Sequence, residues 1–195
     1  TVSADSTARI WHRRTGEAAT PWMRHDGVVN TAQFSPDGCW LVTGSFDGMA
    51  RIWDVSTGQP AGQPLRHKGT VRSARFSPEG YRIITASEDG TARVWCLKTG
   101  RPLTEPFRHR TAVWSARFSP DGTRAVTASA DKTVQVWDVR PGQALERSWP
   151  ILAGGSSVSW SPDGRKVLAV SRNWAWIINP VDESDARTLC RQTGT

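Results

Sequence analysis

The chain has 195 residues, of which 37% are hydrophobic and 22% are charged, and 25 lysines and arginines against 18 acidic residues give a net charge of +7. This composition excludes a disordered chain, and no apolar run approaches the roughly 18 residues that a membrane span needs. Three scattered cysteines, Cys39, Cys96 and Cys190, exclude a disulfide framework and a cysteine-rich zinc site. Because no apolar signal segment lies near Thr1, we expect a reducing, cytoplasmic setting.

A repeat is visible in the tryptophans, which number eleven against one tyrosine and five phenylalanines. Trp11, Trp53, Trp95 and Trp137 are each separated by 42 residues. Three further series keep this spacing: Phe34, Phe76, Phe118 and Trp160; Asp5, Asp47, Asp89, Asp131 and Asn173; and His25, His67 and His109. Four series with one period identify a tandem array.

The sequence of each repeat predicts four short strands. In the repeat that begins at His67 they follow one another in this order. The first strand covers 71–76 and ends at a Ser-Pro-Glu-Gly turn, in which proline and glycine supply the backbone angles of a hairpin. The second covers 81–87, and the third covers 91–95 after an Asp-Gly turn. A short fourth strand ends near Phe107. Four antiparallel strands in each 42-residue repeat are typical of a β-propeller blade.

The period divides the chain into blades. A partial first blade covers 1–24, three full repeats cover 25–66, 67–108 and 109–150, a degenerate blade covers 151–180, and a tail covers 181–195. This makes about 4.6 blades, so we expect an open or partial propeller. In the tail, acidic residues precede basic ones, a charge order that favours a short helix.

The repeat resembles a known family. The pattern His67…Phe76-Ser-Pro-Glu-Gly…Ser-Glu-Asp89-Gly-Thr…Val-Trp95 resembles the WD40 repeat, and Trp53-Asp54 and Trp137-Asp138 carry the dipeptide that names it. Most WD40 propellers have seven blades, so the resemblance implies a C-terminal part of a larger, bacterial-type WD-repeat protein. The remaining blades of that protein are then expected partners of this chain.

The resemblance also implies a hydrogen-bonded tetrad in each full repeat. The implied sets are His25, Ser45, Asp47 and Trp53; His67, Ser87, Asp89 and Trp95; and His109, Ser129, Asp131 and Trp137. In each set the aspartate accepts from the imidazole, whose other nitrogen meets the serine hydroxyl, and that hydroxyl accepts from the indole N–H. A catalytic triad is the alternative for such residues, but an identical set in three blades favours a structural role. We expect no catalytic residue, no metal site and no cofactor.

By comparison with the family, partners are expected on the top face, at the start of each first strand and before each turn aspartate. The candidates in this chain are Asn30, Phe46, Arg72, Glu88 and Trp114. Phe46, Arg72 and Trp114 are favoured because aromatic residues and arginine dominate interface energetics.

The sequence therefore predicts a non-catalytic scaffold that binds a protein or peptide, with no membrane contact. One alternative is a sensing or docking module of a larger signalling enzyme, a kinase or a nucleotide-driven protein, which rests on family analogy. A second alternative is a basic nucleic-acid-binding platform, suggested by the net charge of +7 and by arginines at repeated sites on strands, such as Arg75 and Arg117, or Arg9, Arg51 and Arg93. Nucleic acid is disfavoured because these arginines fall on separate blades, whereas phosphate tracking needs a continuous stripe.

Overall fold

The structure, a computed structural model, describes residues 1–140, 147–151, 154–171, 174–180 and the backbone of 186–191. Every regular element in this part of the chain is a β-strand. A partial blade comes first and contains β1 (Thr7–Ala8) and β2 (Met23–Arg24), which pair antiparallel.

Four four-stranded antiparallel sheets follow, and in each the strands are paired in chain order. The first full blade contains β3 (Val29–Phe34), β4 (Trp40–Ser45), β5 (Met49–Asp54) and β6 (Leu65–Arg66). The second contains β7 (Val71–Phe76), β8 (Arg82–Ser87), β9 (Thr91–Cys96) and β10 (Phe107–Arg108). The third contains β11 (Val113–Phe118), β12 (Arg124–Ser129), β13 (Thr133–Asp138) and β14 (Arg147–Pro150). The fourth contains β15 (Ser157–Trp160), β16 (Val167–Val170), β17 (Trp174–Ile178) and β18 (Ala186–Arg191).

The core lies between successive blades. A single sheet cannot bury both faces, so its apolar side chains pack against the next sheet. Ile52 and Leu65 of the first blade, for example, pack against Phe76 and Ile83 of the second. Equivalent apolar clusters join the partial blade to the first, the second to the third, and the third to the fourth. The first strands β3, β7, β11 and β15 adjoin one another along the inner edge of the stack.

These features confirm the all-β fold class and the propeller blades of four antiparallel strands. Five sheets, one of them two-stranded, stack in chain order without closing into a ring within the described residues, as a partial or open propeller does.

The two-stranded sheet also explains why phenylalanines at equivalent positions of two blades differ in exposure. Phe76 is 6% exposed because the preceding blade covers it, whereas Phe34, next to the partial blade, is 48% exposed.

The C-terminal tail differs from its prediction. Ala186–Arg191 forms β18 and pairs with Trp174–Ile178, so the expected helix is wrong over these residues. The charge order that favours a helix is worth only a few tenths of a kcal/mol to about 1 kcal/mol. An unpaired strand edge offers a full row of backbone hydrogen bonds, and that larger gain decides the structure. The rest of the tail, 181–185 and 192–195, lies outside the described residues, as does Asn173.

No helix long and apolar enough to span a membrane is found among the residues that the structure describes.

Candidate interaction face and polar tetrads

A polar chain runs through each of the three regular blades. In the second blade, His67 Nδ1 lies 2.9 Å from Asp89 Oδ2, and the same oxygen accepts the backbone N–H of Lys68 at 3.0 Å. Asp89 Oδ1 accepts the backbone N–H and the hydroxyl of Thr91 at 2.9 and 2.6 Å. The His–Asp contact recurs in the first blade between His25 and Asp47 and in the third between His109 and Asp131, at 2.9 and 3.0 Å. The aspartate thereby ties the turn after the second strand to the histidine.

A threonine, not the predicted serine, connects the histidine to the tryptophan. Thr85 Oγ1 lies 2.7 Å from His67 Nε2 and accepts the indole N–H of Trp95 at 2.8 Å. Thr43 and Thr127 make the same pair of bonds in the first and third blades. The predicted position of Ser45, Ser87 and Ser129 between histidine and tryptophan is therefore wrong.

The serine instead makes hydrogen bonds to the backbone around the turn. Ser87 Oγ donates to the carbonyl of Gly69 at 2.9 Å and accepts the backbone N–H of Asp89 at 3.1 Å. Ser45 makes the same bonds to Gly27 and Asp47. The serine thus closes the turn that holds the aspartate.

Strand register explains why the threonine is the bridge. Trp95 on β9 lies opposite Ile83 on β8. Thr85 is two residues further along the same face, about 7 Å, whereas Ser87 is four residues further, about 13 Å. The indole therefore reaches Thr85 and not Ser87.

The bonding pattern determines which group donates and which accepts at each hydrogen bond of the polar chain. An ionised carboxylate only accepts, so Nδ1 of each histidine carries the proton and Nε2 of the neutral ring accepts from the threonine hydroxyl. Burial lowers the pKa of His25 and His109 and outweighs the opposing effect of Asp47 and Asp131. Burial by itself raises the pKa of Asp89, but hydrogen bonds from His67, Thr91 and the Lys68 N–H outweigh it and lower this pKa far below its usual range. The first and third tetrads therefore pair a neutral imidazole with a carboxylate at neutral pH.

We expect the free energy of unfolding to decrease as the pH falls below about 6.5. The pKa of His25 and of His109 is lower in the folded chain than in the unfolded chain. The unfolded state therefore binds more protons below its own histidine pKa, and the stability present above that pKa is lost. The measurement is the urea midpoint between pH 8 and pH 5. His25→Gln should show a smaller pH dependence than the parent chain, and a midpoint that rises on acidification would contradict the assignment.

The tetrads do not form a hydrolase site. The side chains of His25, His67 and His109 are 0% exposed, and each imidazole is engaged at both nitrogens. A hydroxyl does lie next to each imidazole, but a catalytic base and its nucleophile must be reached by a substrate, and these buried side chains cannot be. No group of three or more metal-ligating side chains occurs among the described residues. The geometry fits a role in holding each blade together.

Four of the five predicted top-face residues form one cluster around Arg72. The guanidinium of Arg72 lies 4.8 Å from the ring centroid of Phe46 and 4.7 Å from that of Trp114. Glu88 Oε1 accepts from Arg72 Nε at 2.9 Å and also from Nη2. Because Phe46, Arg72 and Trp114 come from the first, second and third blades, the cluster crosses two blade boundaries. We call these four residues the arginine cluster.

A bulge in the first strand of each blade positions these side chains. The register between the first and second strands shifts at Asn30, Arg72 and Trp114. A bulge leaves one residue out of the ladder and redirects its side chain. Three residues at one place in the repeat are therefore redirected in the same way.

The arginine cluster combines exposed and covered surface. Phe46 is 46% exposed, Glu88 is exposed, and Arg72 and Trp114 are half-buried. The hydrogen bond from Arg72 lowers the pKa of Glu88, so both groups are charged at neutral pH. Aromatic faces next to a fixed cation provide both an apolar and a polar contact to a partner.

Asn30 has a different environment from the arginine cluster. It lines a cavity of about 560 Å³ next to the partial blade, together with Phe34 and Arg75. Its side-chain oxygen is buried and has no hydrogen-bond partner among the described residues. The structure therefore places four of the five predicted face residues together and the fifth beside this cavity.

Three of the arginines that suggested nucleic-acid binding, Arg9, Arg51 and Arg93, are engaged within their own blades. Arg51 donates to Asp26 at 3.2 Å, and Arg9 lies 4.3 Å from the ring centroid of Trp22. Arg93 lies 5.9 Å from the ring centroid of Trp95. They stand on three separate blades, and this arrangement does not favour a phosphate-binding stripe.

The sheets, their radial order and the repeated tetrads define a β-propeller. The family model described as "WD domain, G-beta repeat" matches residues 19–54, 59–96 and 100–138, which is more than half of the chain. The chain belongs to the WD40 family. No curated protein matches it.

Among the solved structures similar to this chain is the crystal structure of the computationally designed Ika8 protein. The two share 26% sequence identity with a TM-score of 0.76, over 86% of this chain and 50% of that one. This chain thus spans about half of the length of the designed protein.

Proposed function

We propose that this chain is a non-catalytic protein-interaction module of a signalling or scaffold assembly and binds a protein or peptide through the arginine cluster. WD40 repeats generally mediate protein–protein interaction, which supports the general class. The observation that carries the specific proposal is the position of Arg72 between Phe46 and Trp114 on an accessible face.

The composition of the cluster supports this use. Arginine and aromatic side chains are the residues that contribute most to binding at interfaces. Arg72 is already held by two rings and by Glu88, so little side-chain freedom is lost when a partner binds. The proposed setting is the reducing cytoplasm, and the free thiols of Cys39 and Cys96 are in keeping with it.

Affinity capture with a matched control tests the proposal. Trp114→Ala and Phe46→Ser remove the rings on either side of Arg72. Tyr81→Ser removes an aromatic ring that is 60% exposed and lies at the opposite end of the strands. We expect the proteins retained by the immobilised parent chain to fall at least about tenfold with each cluster variant, since a central interface residue contributes 2 kcal/mol or more. Tyr81→Ser should retain them, and equal capture by all three variants would refute the proposed face.

A further inference from the structure

Two arginines face one small cavity on the inner edge of the propeller. Arg75 on β7 and Arg117 on β11 occupy the same place in successive blades, and β7 packs beside β11. Both line a cavity of about 240 Å³, together with Gln33, Phe76 and Phe118. The cavity lies near the turns that end the first strands, and Arg72 lies near the other end of β7.

Neither arginine is neutralised by a residue that the structure describes. Among the described residues, no carboxylate forms an ion pair with Arg75 or Arg117. The Nε atoms of both are buried and have no hydrogen-bond partner in that part of the chain. Arg75 makes one long bond, from Nη1 to the carbonyl of Ala32 at 3.4 Å. Buried donors and charges without partners are costly, so this arrangement needs an explanation.

The two positive charges also act on each other. Burial lowers the pKa of Arg75, and the charge of Arg117 lowers it further. Arg72 and Arg82, which are half-buried on neighbouring strands, instead contact Glu88 and Glu79. A pair of uncompensated guanidinium groups is stabilised by an anion placed between them.

The other residues of the cavity suit an anion. Gln33 uses its side-chain oxygen to accept the backbone N–H of Phe76 at 2.8 Å, so its amide nitrogen is the part left to donate. The nearby rings of Phe76 and Phe118 are 6% and 8% exposed, and apolar walls strengthen hydrogen bonds to a charged ligand. Guanidinium donors match the planar or tetrahedral oxygens of carboxylates and phosphates.

We propose that Arg75, Arg117 and Gln33 form a binding site for one small oxyanion, a phosphate or carboxylate group. Because the three residues come from the second, third and first blades, the anion connects three consecutive blades. This site is separate from the arginine cluster and independent of the proposed protein interaction.

Isothermal titration of the full chain with inorganic phosphate, and separately with acetate, tests the site at constant ionic strength in chloride buffer. We expect saturable binding of one ion per chain for at least one of the two. Binding of phosphate alone identifies a phosphate site, and binding of acetate alone identifies a carboxylate site. Absence of saturable binding for both would overturn the proposal.

Charge-matched variants locate the bound ion. Arg75→Gln and Arg117→Gln should each weaken binding at least about tenfold, since each removes a charge-assisted hydrogen bond to the anion. Arg101→Gln removes the same charge from an exposed loop between β9 and β10 and should bind as the parent does. Unchanged binding by both Arg75→Gln and Arg117→Gln would overturn the site. Phe46→Ser should leave anion binding intact, which separates this proposal from the interaction face.

A second measurement needs no variant. Phenylglyoxal modifies accessible guanidinium groups, and mass spectrometry reports which arginines have reacted. Phosphate or acetate should slow the modification of Arg75 and Arg117 but not that of Arg101. Equal rates with and without the anions would contradict the proposal even if the variants failed to fold.

Discussion

Replacing Asp89 by alanine is expected to lower the free energy of unfolding by about 3 kcal/mol. The change removes the acceptor of the His67 imidazole and of the backbone N–H groups of Lys68 and Thr91. The His67 side chain is 0% exposed, so water cannot replace the lost partner without opening the blade. Urea unfolding at neutral pH, followed by tryptophan fluorescence, measures the loss.

An exposed aspartate provides the control. Asp37 accepts from Ser35 and from the backbone N–H of Cys39 in a solvent-exposed turn. Water can replace it, so Asp37→Ala should cost less than about 1 kcal/mol. A midpoint for Asp89→Ala equal to that of Asp37→Ala would contradict the structural role of the tetrad.

The tetrads also position the arginine cluster. Phe46 directly precedes Asp47, and Glu88 directly precedes Asp89, so each tetrad aspartate fixes the turn that carries a face residue. The same turns are held by backbone bonds from Phe46 N–H to the Val28 carbonyl and from Glu88 N–H to the Thr70 carbonyl. The buried tetrads therefore determine where the side chains of the proposed interaction face lie.

Much of the blade could be predicted from the sequence because its signals are local. The strands predicted at 71–76, 81–87 and 91–95 end within one residue of the observed Val71–Phe76, Arg82–Ser87 and Thr91–Cys96. Proline, acidic residues and glycine at fixed places set the turns, and alternation sets the buried faces. A repeat with one period then supplies several independent copies of each signal.

What could not be predicted depends on contacts between distant residues. The face residues were expected by position, but the stacking of Arg72 between Phe46 and Trp114 depends on bulges and on three adjacent blades. Arg75 and Arg117 were seen only as basic residues in strands. Their shared cavity follows from the radial order of β7 and β11, which a single repeat does not reveal.

Replacing Thr85 by valine is expected to lower the free energy of unfolding by about 2 kcal/mol, because it leaves two buried partners without a hydrogen bond. Those partners are the Nε2 atom of His67 and the indole N–H of Trp95. Ser87→Ala also removes hydrogen bonds, to Gly69 and Asp89, so stability alone does not distinguish the two hydroxyls. A signal from the indole itself is required.

The indole N–H resonance of Trp95, assigned by its loss in Trp95→Phe, gives that signal. Thr85→Val should shift this resonance and speed its exchange with solvent, because the N–H has lost its acceptor. Ser87→Ala should leave it close to its position in the parent spectrum, because Ser87 lies about 13 Å along the strand from the residue opposite the indole. The reverse pattern would identify Ser87 as the residue between His67 and Trp95. It would contradict the register in which β8 and β9 pair.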